Sequence, residues 1–400
     1  LAIFPESEAN RLSAVRLAIF GMLTLAIAIG VGRFAFTPIL PMMQKDYGLT
    51  LRMAGLLASA NYVGYFIGAL SAIWIRVTIA TVVRLSMLTV ALLTGAMGVT
   101  HDPIAWLLLR GFAGMVSAWI LVFASAYVLQ QLAMPERKRH RGVVLSGVVF
   151  GGVGFGTALT GGACLLFLHL SWSADQAWVA VGGTALVLAL TCWPGYRGAL
   201  QIPASAMTAN AAPLRLRAHL PVILCYGIFG FGYIIPGTFL PAMAKQSIPD
   251  PAVFGWAWPI FGSAALISTL MAGWLSAHLP NRLIWALSHV VMAIGVAMPV
   301  LLPGMAGIVI SACCVGGTFM VATMTGMQEA RTLAPDHASR LMAAMTAAFG
   351  MGQIFGPLLV SLVADLQNGM NALLIGASIL LLGSAAVLAS GGTGQRSAKK

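Results

Sequence analysis

Charge is what this sequence has least of. Asp, Glu, Lys and Arg make up 8% of its 400 residues, and only ten of them are acidic. So few charges cannot cover a globular domain with a solvated surface. A mean hydropathy of +0.92 and 59% apolar residues point instead to spans in a bilayer. Cysteine is also scarce. Cys164, Cys192, Cys225, Cys313 and Cys314 show neither a CxxC nor a metal-ligand spacing, and they read as small packing residues in apolar helices. No asparagine opens an N-x-S/T acceptor, which is compatible with a bacterial inner membrane. No nucleophile stands at a useful spacing from a base, and no polar segment is large enough for a catalytic or sensory domain. An enzyme, a cofactor and a metal are therefore not expected. The start, with Glu6 and Glu8 before a long apolar run, lacks a basic region and a cleavage site, so the first span should stay in the protein.

What is present is a repeat. Gly30/Gly230, Gly32/Gly232, Pro41/Pro241, Lys45/Lys245, Gly55/Gly255, Trp74/Trp274, Pro103/Pro303, Pro135/Pro335, Gly152/Gly352 and Gly156/Gly356 all recur at one offset of 200 residues. Apolar stretches long enough for a ~30 Å core divide into six between 14 and 194 and six between 218 and 390. Parallel repeats of this kind place a solute site between the halves near the midplane and let the halves rock around it. The expected plan is an all-α membrane protein with a cytoplasmic tail (1–13), a six-helix bundle (14–194), a cytoplasmic linker (195–217), a second bundle (218–390) and a cytoplasmic tail (391–400).

The net charge of +12 and pI near 10.0 would suit nucleic acid if the basic residues formed one patch. Seventeen of the 22 Lys and Arg instead fall in the tails and alternate loops of one side. Lys45, Arg52 and Lys245 fall on the other side, and Arg33 and Arg110 within spans. An excess of basic residues marks the cytoplasmic side. Both termini are expected there, with no nucleic-acid partner.

Several motifs are similar to those of the major facilitator superfamily. LLLRGFAGM carries Arg110 and Gly114 in the manner of its RxxxG motif. GALSA (68–72) and GWLSA (273–277) open like its GxLaD motif, with Ala72 and Ala277 where an aspartate is usual. GVGRFAFTPILPMM, GMQEAR and FGMGQIFGPLL resemble the YbfB/YjiJ-type branch. A GxxxGP pattern associated with antiporters is complete at Gly352, Gly356 and Pro357 but ends in Thr157 in the first half. Close helix packing explains it without antiport. The resemblance implies a monomeric secondary transporter in the lipid bilayer, working by alternating access, with helices 1, 4, 7 and 10 lining the cavity.

The site candidates are the places where the repeat fails. Arg33 is matched by Tyr233 and Arg110 by Ile310, so the shared scaffold requires neither charge. Both arginines fall roughly 10–12 Å below the outer helix ends, and no acidic residue maps to that depth. The negative charge is then expected to arrive with the substrate, bound by planar guanidinium forks. Asn61, Tyr233 and Gln353 are expected to complete the pocket. His289 is an interhelical hydrogen bonder rather than a proton relay. By the same resemblance, Arg282 and Glu329 are expected to pair as a cytoplasmic gate in the outward-facing state, with Glu136 pairing with Arg76 or Arg84. The expected function is secondary active transport of a small organic solute, an organic anion, coupled to a co-transported proton or an exchanged anion. The alternative is efflux of lipophilic compounds.

Overall fold

The structure, a computed structural model, describes residues 14–132, 139–196, 216–247, 250 and 254–390. Twelve helices in it are long and apolar enough to cross a bilayer. They are α1 (Ala14–Tyr47), α2 (Leu51–Ser71), α3 (Ile79–Ala96), α4 (Pro103–Leu132), α5 (Arg139–His169), α6 (Ala174–Cys192), α7 (Leu220–Ser247), α8 (Ala257–His278), α9 (Asn281–Leu301), α10 (Met305–Leu333), α11 (Ala338–Val363) and α12 (Gly369–Ser390). Helices are the expected solution, because a backbone in hydrocarbon must satisfy its own hydrogen bonds. Short polar signals separate them. Gly48, at φ 64°, ends α1, and Thr50 caps α2 through the Met53 amide. Ser173 and Gln176 form a reciprocal capping box on α6. The Glu136 expected to join a gate, the linker positions 197–215 and both tails lie outside the described residues.

An even number of crossings puts Ala14 and Ser390 on one face, the terminal face. The opposite face is the distal one. Glycines let the helices approach closely within each set of six. A Cβ on Gly30 would lie 2.4 Å from the Gly156 backbone, and one on Gly152 would lie 2.0 Å from the Met22 carbonyl oxygen. The same α1–α5 crossing recurs between α7 and α11, where Gly230 meets Phe349 and Gly352 meets Gly227. The repeat glycines thus share one task, which is to bring two backbones together without side chains between them.

Between the sets, α5 packs on α8 and α2 on α11. Gly154 sits against Leu266, Gly161 against Pro259 and Gly55 against Pro357. These contacts run from the distal ends to Gly147 and Thr269, about 12 Å short of the terminal end of α5. On the distal side Arg52 pairs with Asp365, and Lys245 Nζ donates to the Pro41 carbonyl at 2.7 Å. That face is closed. Thr37 Oγ1 donates to the Gly237 carbonyl at 3.2 Å and Arg33 reaches Tyr233, so residues 200 apart touch each other. Repeat partners can meet only beside the axis that relates them, and that axis runs between α1 and α7.

The glycine contacts generate a prediction. Gly152→Ala and Gly352→Ala should each cost about 1–3 kcal/mol or more by overpacking, seen as a melting temperature several degrees lower in detergent. Gly376→Ala, where a Cβ meets nothing within 4 Å, should leave it unchanged or slightly raised. Equal effects at all three sites would show that the crossings are not tight.

Candidate functional site

The centre of the molecule is organised by a defect in α1. Residues Ala26–Val31 are π-helical and the chain turns at 32–35 before resuming as Phe36–Tyr47. Amides of Gly32 and Phe34 reach back five residues, to Ile27 and Ile29. The Thr37 amide bonds Phe34 rather than Arg33, so the Arg33 carbonyl is left without its helical partner. Pro38 and Pro41, which lack amide hydrogens, follow directly. Side chains supply the missing donors. Arg110 Nη2 donates to the Arg33 carbonyl at 3.0 Å, and Nη1 to the Gly32 carbonyl at 3.4 Å. Asn61 Nδ2 donates to the carbonyls of Arg110, at 2.8 Å, and Gly32, at 3.3 Å. Arg110 and Asn61 are therefore turned onto backbone, and Arg110 also lies 5.1 Å from the Phe36 ring centroid. Glycines make this reach possible. Gly64 meets Gly111 and Gly114 meets Asn61 along the α2–α4 contact, while Gly32 faces Ser117.

Arg33 is placed differently. Its side chain is 5% exposed and leaves the bend toward α7, where Nη2 donates to the Tyr233 hydroxyl at 3.3 Å. The guanidinium carbon lies 4.6 Å from the Tyr65 ring centroid, 4.8 Å from Tyr62 and 5.4 Å from Phe34. A desolvated cation–π contact contributes about 2 kcal/mol, and an arginine at mid-membrane costs at least ~2.5–3.5 kcal/mol. Two tyrosines thus offset most of that cost without a carboxylate. Among the described residues Arg33 has no acidic partner, and its Nε is buried with no hydrogen bond.

From the other side, Tyr233 stacks between Phe319 at 5.5 Å and Phe349 at 5.7 Å, both nearly parallel to it. Gln353 Nε2 donates to the Tyr233 hydroxyl, and Gln353 Oε1 is buried without a partner. With Arg33 and Gln353 both donating, the phenolic proton has no acceptor at this pair. Turning the amide over satisfies it, with Arg33 donating to Tyr233, Tyr233 to Gln353 Oε1, and Nε2 left as a donor. Phe34 reaches across to Trp258 at 5.8 Å, which stacks on Phe261. Buried Tyr62 joins Thr238 at 3.0 Å, so most of the surface around Arg33 is aromatic.

The five candidate side chains therefore divide. Arg33, Tyr233 and Gln353 form one hydrogen-bonded chain across the two sets of helices, while Arg110 and Asn61 hold the α1 segment that carries Arg33. Tyr65, half-buried beneath the guanidinium, was not singled out by sequence. The available signal was its spacing of three residues from Tyr62, which places both on one helix face. The Phe319 and Phe349 sandwich had no sequence signal, because phenylalanine in an apolar helix looks the same whether it faces lipid, core or site.

Arg282 Nη1 stands 3.8 Å from Glu329, and Arg282 Nε donates to the Leu388 carbonyl at 2.8 Å. The pair ties α9 to α10 and α12 at the terminal face while the distal face is closed. All three helices belong to the second set of six, so this contact does not bridge the two sets. Arg84 donates to the Trp193 carbonyl and lies over its ring. His289 accepts from Trp285 Nε1 on its own Nε2, so its proton sits on Nδ1, toward Ser384 at 2.9 Å. Both ring nitrogens are occupied in the neutral form.

Two solved transporters share this architecture. The chain superposes on a point mutant of the nucleoside transporter NupG with a TM-score of 0.69, at 15% identity, covering 94% of this chain and 98% of that one. It superposes equally, with a TM-score of 0.69 at 14% identity and 94% and 97% coverage, on a bacterial homologue of the human lysosomal transporter Spinster in an inward-facing, occupied conformation. At these identities the likeness shows the fold alone. The chain belongs to the family described as uncharacterised MFS-type transporter YbfB, whose model matches residues 25–388. It is also 27% identical over 287 residues, 66% of this chain and 68% of the relative, to a chloramphenicol resistance protein of Streptomyces lividans. It is thus an integral membrane transporter and not an enzyme.

The terminal ion pair can be tested by charge reversal. Arg282→Glu and Glu329→Arg should each lower stability, and the double reversal should recover about 0.5–3 kcal/mol relative to the sum of the singles. Thermal melts of the four proteins decide it. A purely additive double variant would show the charges to be uncoupled.

Proposed function

We propose that the protein is a secondary active transporter for a small organic anion, moved by alternating access about the α1–α7 axis. The observation that carries this reading is Arg33. It is a buried guanidinium at the point where the repeat partners meet, without an acidic partner among the described residues and with an unbonded Nε. A carboxylate fits the Nε–Nη edge of such a fork bidentately. Tyr233 and Gln353 orient the solute, and Arg110 and Asn61 hold the bend that presents Arg33.

The same geometry couples binding to motion. Arg33 bonds Tyr233 across the two sets of helices in a structure closed at the distal face. An anion taking the Arg33 fork competes with the phenol and weakens that cross-link, so it interacts differently with the closed and open states, as a coupled transporter requires. The excess of basic residues supports reading the terminal face as cytoplasmic, and a monomer in a bacterial inner membrane is part of the same proposal. His289 is held neutral by its two partners and Glu329 is paired with Arg282. Coupling then runs through a proton carried with the substrate or through exchange of one anion for another. A second reading, efflux of lipophilic compounds, is favoured by the similarity to the chloramphenicol resistance protein and by the aromatic walls.

Arg33→Lys keeps the charge and removes the fork, so affinity for a transported carboxylate should fall at least tenfold with the melting temperature little changed. Arg110→Ala frees the bend in α1 and should abolish binding. Radiolabelled uptake into proteoliposomes, with binding to purified protein, makes the comparison. If neither substitution weakens binding, or only neutral or cationic compounds bind, the anion reading fails and the efflux reading stands.

A further inference from the structure

Resting on the anion reading of the Arg33 site, we infer that its substrate is a planar aromatic monocarboxylate, and that dicarboxylates and phosphate monoesters are excluded. The first ground is the number of free donors. Two guanidinium groups lie close to the axis, but they do not offer two anion sites. Both terminal nitrogens of Arg110 are engaged by carbonyls of α1, and the Phe36 ring covers its face. Asn61 spends its amide hydrogens on the Gly32 carbonyl of α1 and the Arg110 carbonyl of α4. The donors that can meet one carboxylate at the Arg33 edge are Nε, which is buried and unbonded, Nη2, which a carboxylate takes over from Tyr233, and the Gln353 amide. Arg110 Nε is also buried and unbonded, but with both terminal nitrogens held by α1 it completes no bidentate edge. They suffice for one carboxylate. Arg110 still adds positive field, but it presents no second fork. A second carboxylate, or the third oxygen of a phosphate, would be stripped of water against rings without matching donors, which is costly.

The second ground is the shape and chemistry of the walls. Arg33 is flanked by Tyr62 and Tyr65, of which Tyr62 is buried and Tyr65 half-buried. Opposite stand Tyr233 in its parallel stack with Phe319 and Phe349, and the edge-on pair Phe34 and Trp258. Trp258 Nε1 is buried without a partner. Flat walls beside a single fork fit a ring bearing its carboxylate in plane, with offset or edge-to-face contact to the aromatic side chains. A single buried indole donor is compatible with one further polar substituent on that ring.

The test uses the purified full chain and five probes: benzoate, cyclohexanecarboxylate, phthalate, phenyl phosphate and benzamide. Thermal shift and calorimetric binding are read for the native protein, Arg33→Lys, Arg33→Gln and Tyr65→Leu. Benzoate should bind the native protein, with phthalate, phenyl phosphate and cyclohexanecarboxylate at least tenfold weaker and benzamide without effect. Both Arg33 variants should lose at least tenfold in benzoate affinity, and Tyr65→Leu should lose affinity for benzoate more than for cyclohexanecarboxylate. If phthalate or phenyl phosphate binds as tightly as benzoate and depends on Arg33, the one-charge inference is overturned while the anion reading survives. If cyclohexanecarboxylate matches benzoate, the aromatic requirement is overturned alone. Benzamide binding that ignores Arg33 would overturn both, and so would failure of every carboxylate to bind at millimolar concentration. A variant that melts before binding can be read is replaced by the other Arg33 variant.

Discussion

The central geometry depends on one backbone irregularity, the π-helical stretch and turn of α1, and on the side chains that complete its hydrogen bonds. An open carbonyl inside a membrane protein costs as much as any other unsatisfied polar group there. The chain answers with Arg110, aimed at the Gly32 and Arg33 carbonyls, and with Asn61, aimed at Gly32 and at the Arg110 carbonyl. Their reach requires α1, α2 and α4 to lie unusually close, which the glycines along those helices permit. With Arg110 engaged in this way, Arg33 projects from the turned segment toward the other half. The bend therefore supports the fold and also aims the guanidinium that we propose meets the substrate.

Arg33 shows how a membrane protein can keep a cation ready. Had an aspartate faced it, the pair would be neutral and a substrate anion would have to displace a tethered competitor. Tyrosine faces and a hydroxyl stabilise the charge more weakly than a carboxylate, and they leave its edge incompletely bonded. Because Tyr233 belongs to the second half, this weak partner is also a cross-link between the two sets of helices. In the proposed function, this one contact bears on both affinity and conformation.

The fold and the family were legible in the sequence. The 200-residue offset, the apolar stretches and the Arg110 and Gly114 motif led to the architecture that the helices and the family match display. Helix periodicity in a bilayer is governed by local composition, so the spans could be read along the chain. The pairing of Arg33 with Tyr233 was partly legible, since repeat partners near a two-fold axis approach each other, but nothing local says which partners lie near it. The aromatic stack was illegible because Phe319 and Phe349 come from helices 10 and 11, far from Tyr233 in the chain.

By itself the sequence determined how many helices there are, which residues repeat and which charges break the repeat, because each of these is a property of order along one chain. It treated Arg33 and Arg110 as equals, two cations at one depth. Only the tertiary structure separated them. Which arginine keeps an open edge depends on which finds carbonyl oxygens within about 3 Å, and those oxygens are open because α1, 34 residues long, fails to close its own ladder at one place. That failure, and the neighbours that complete it, appear only when α1, α2 and α4 are packed together.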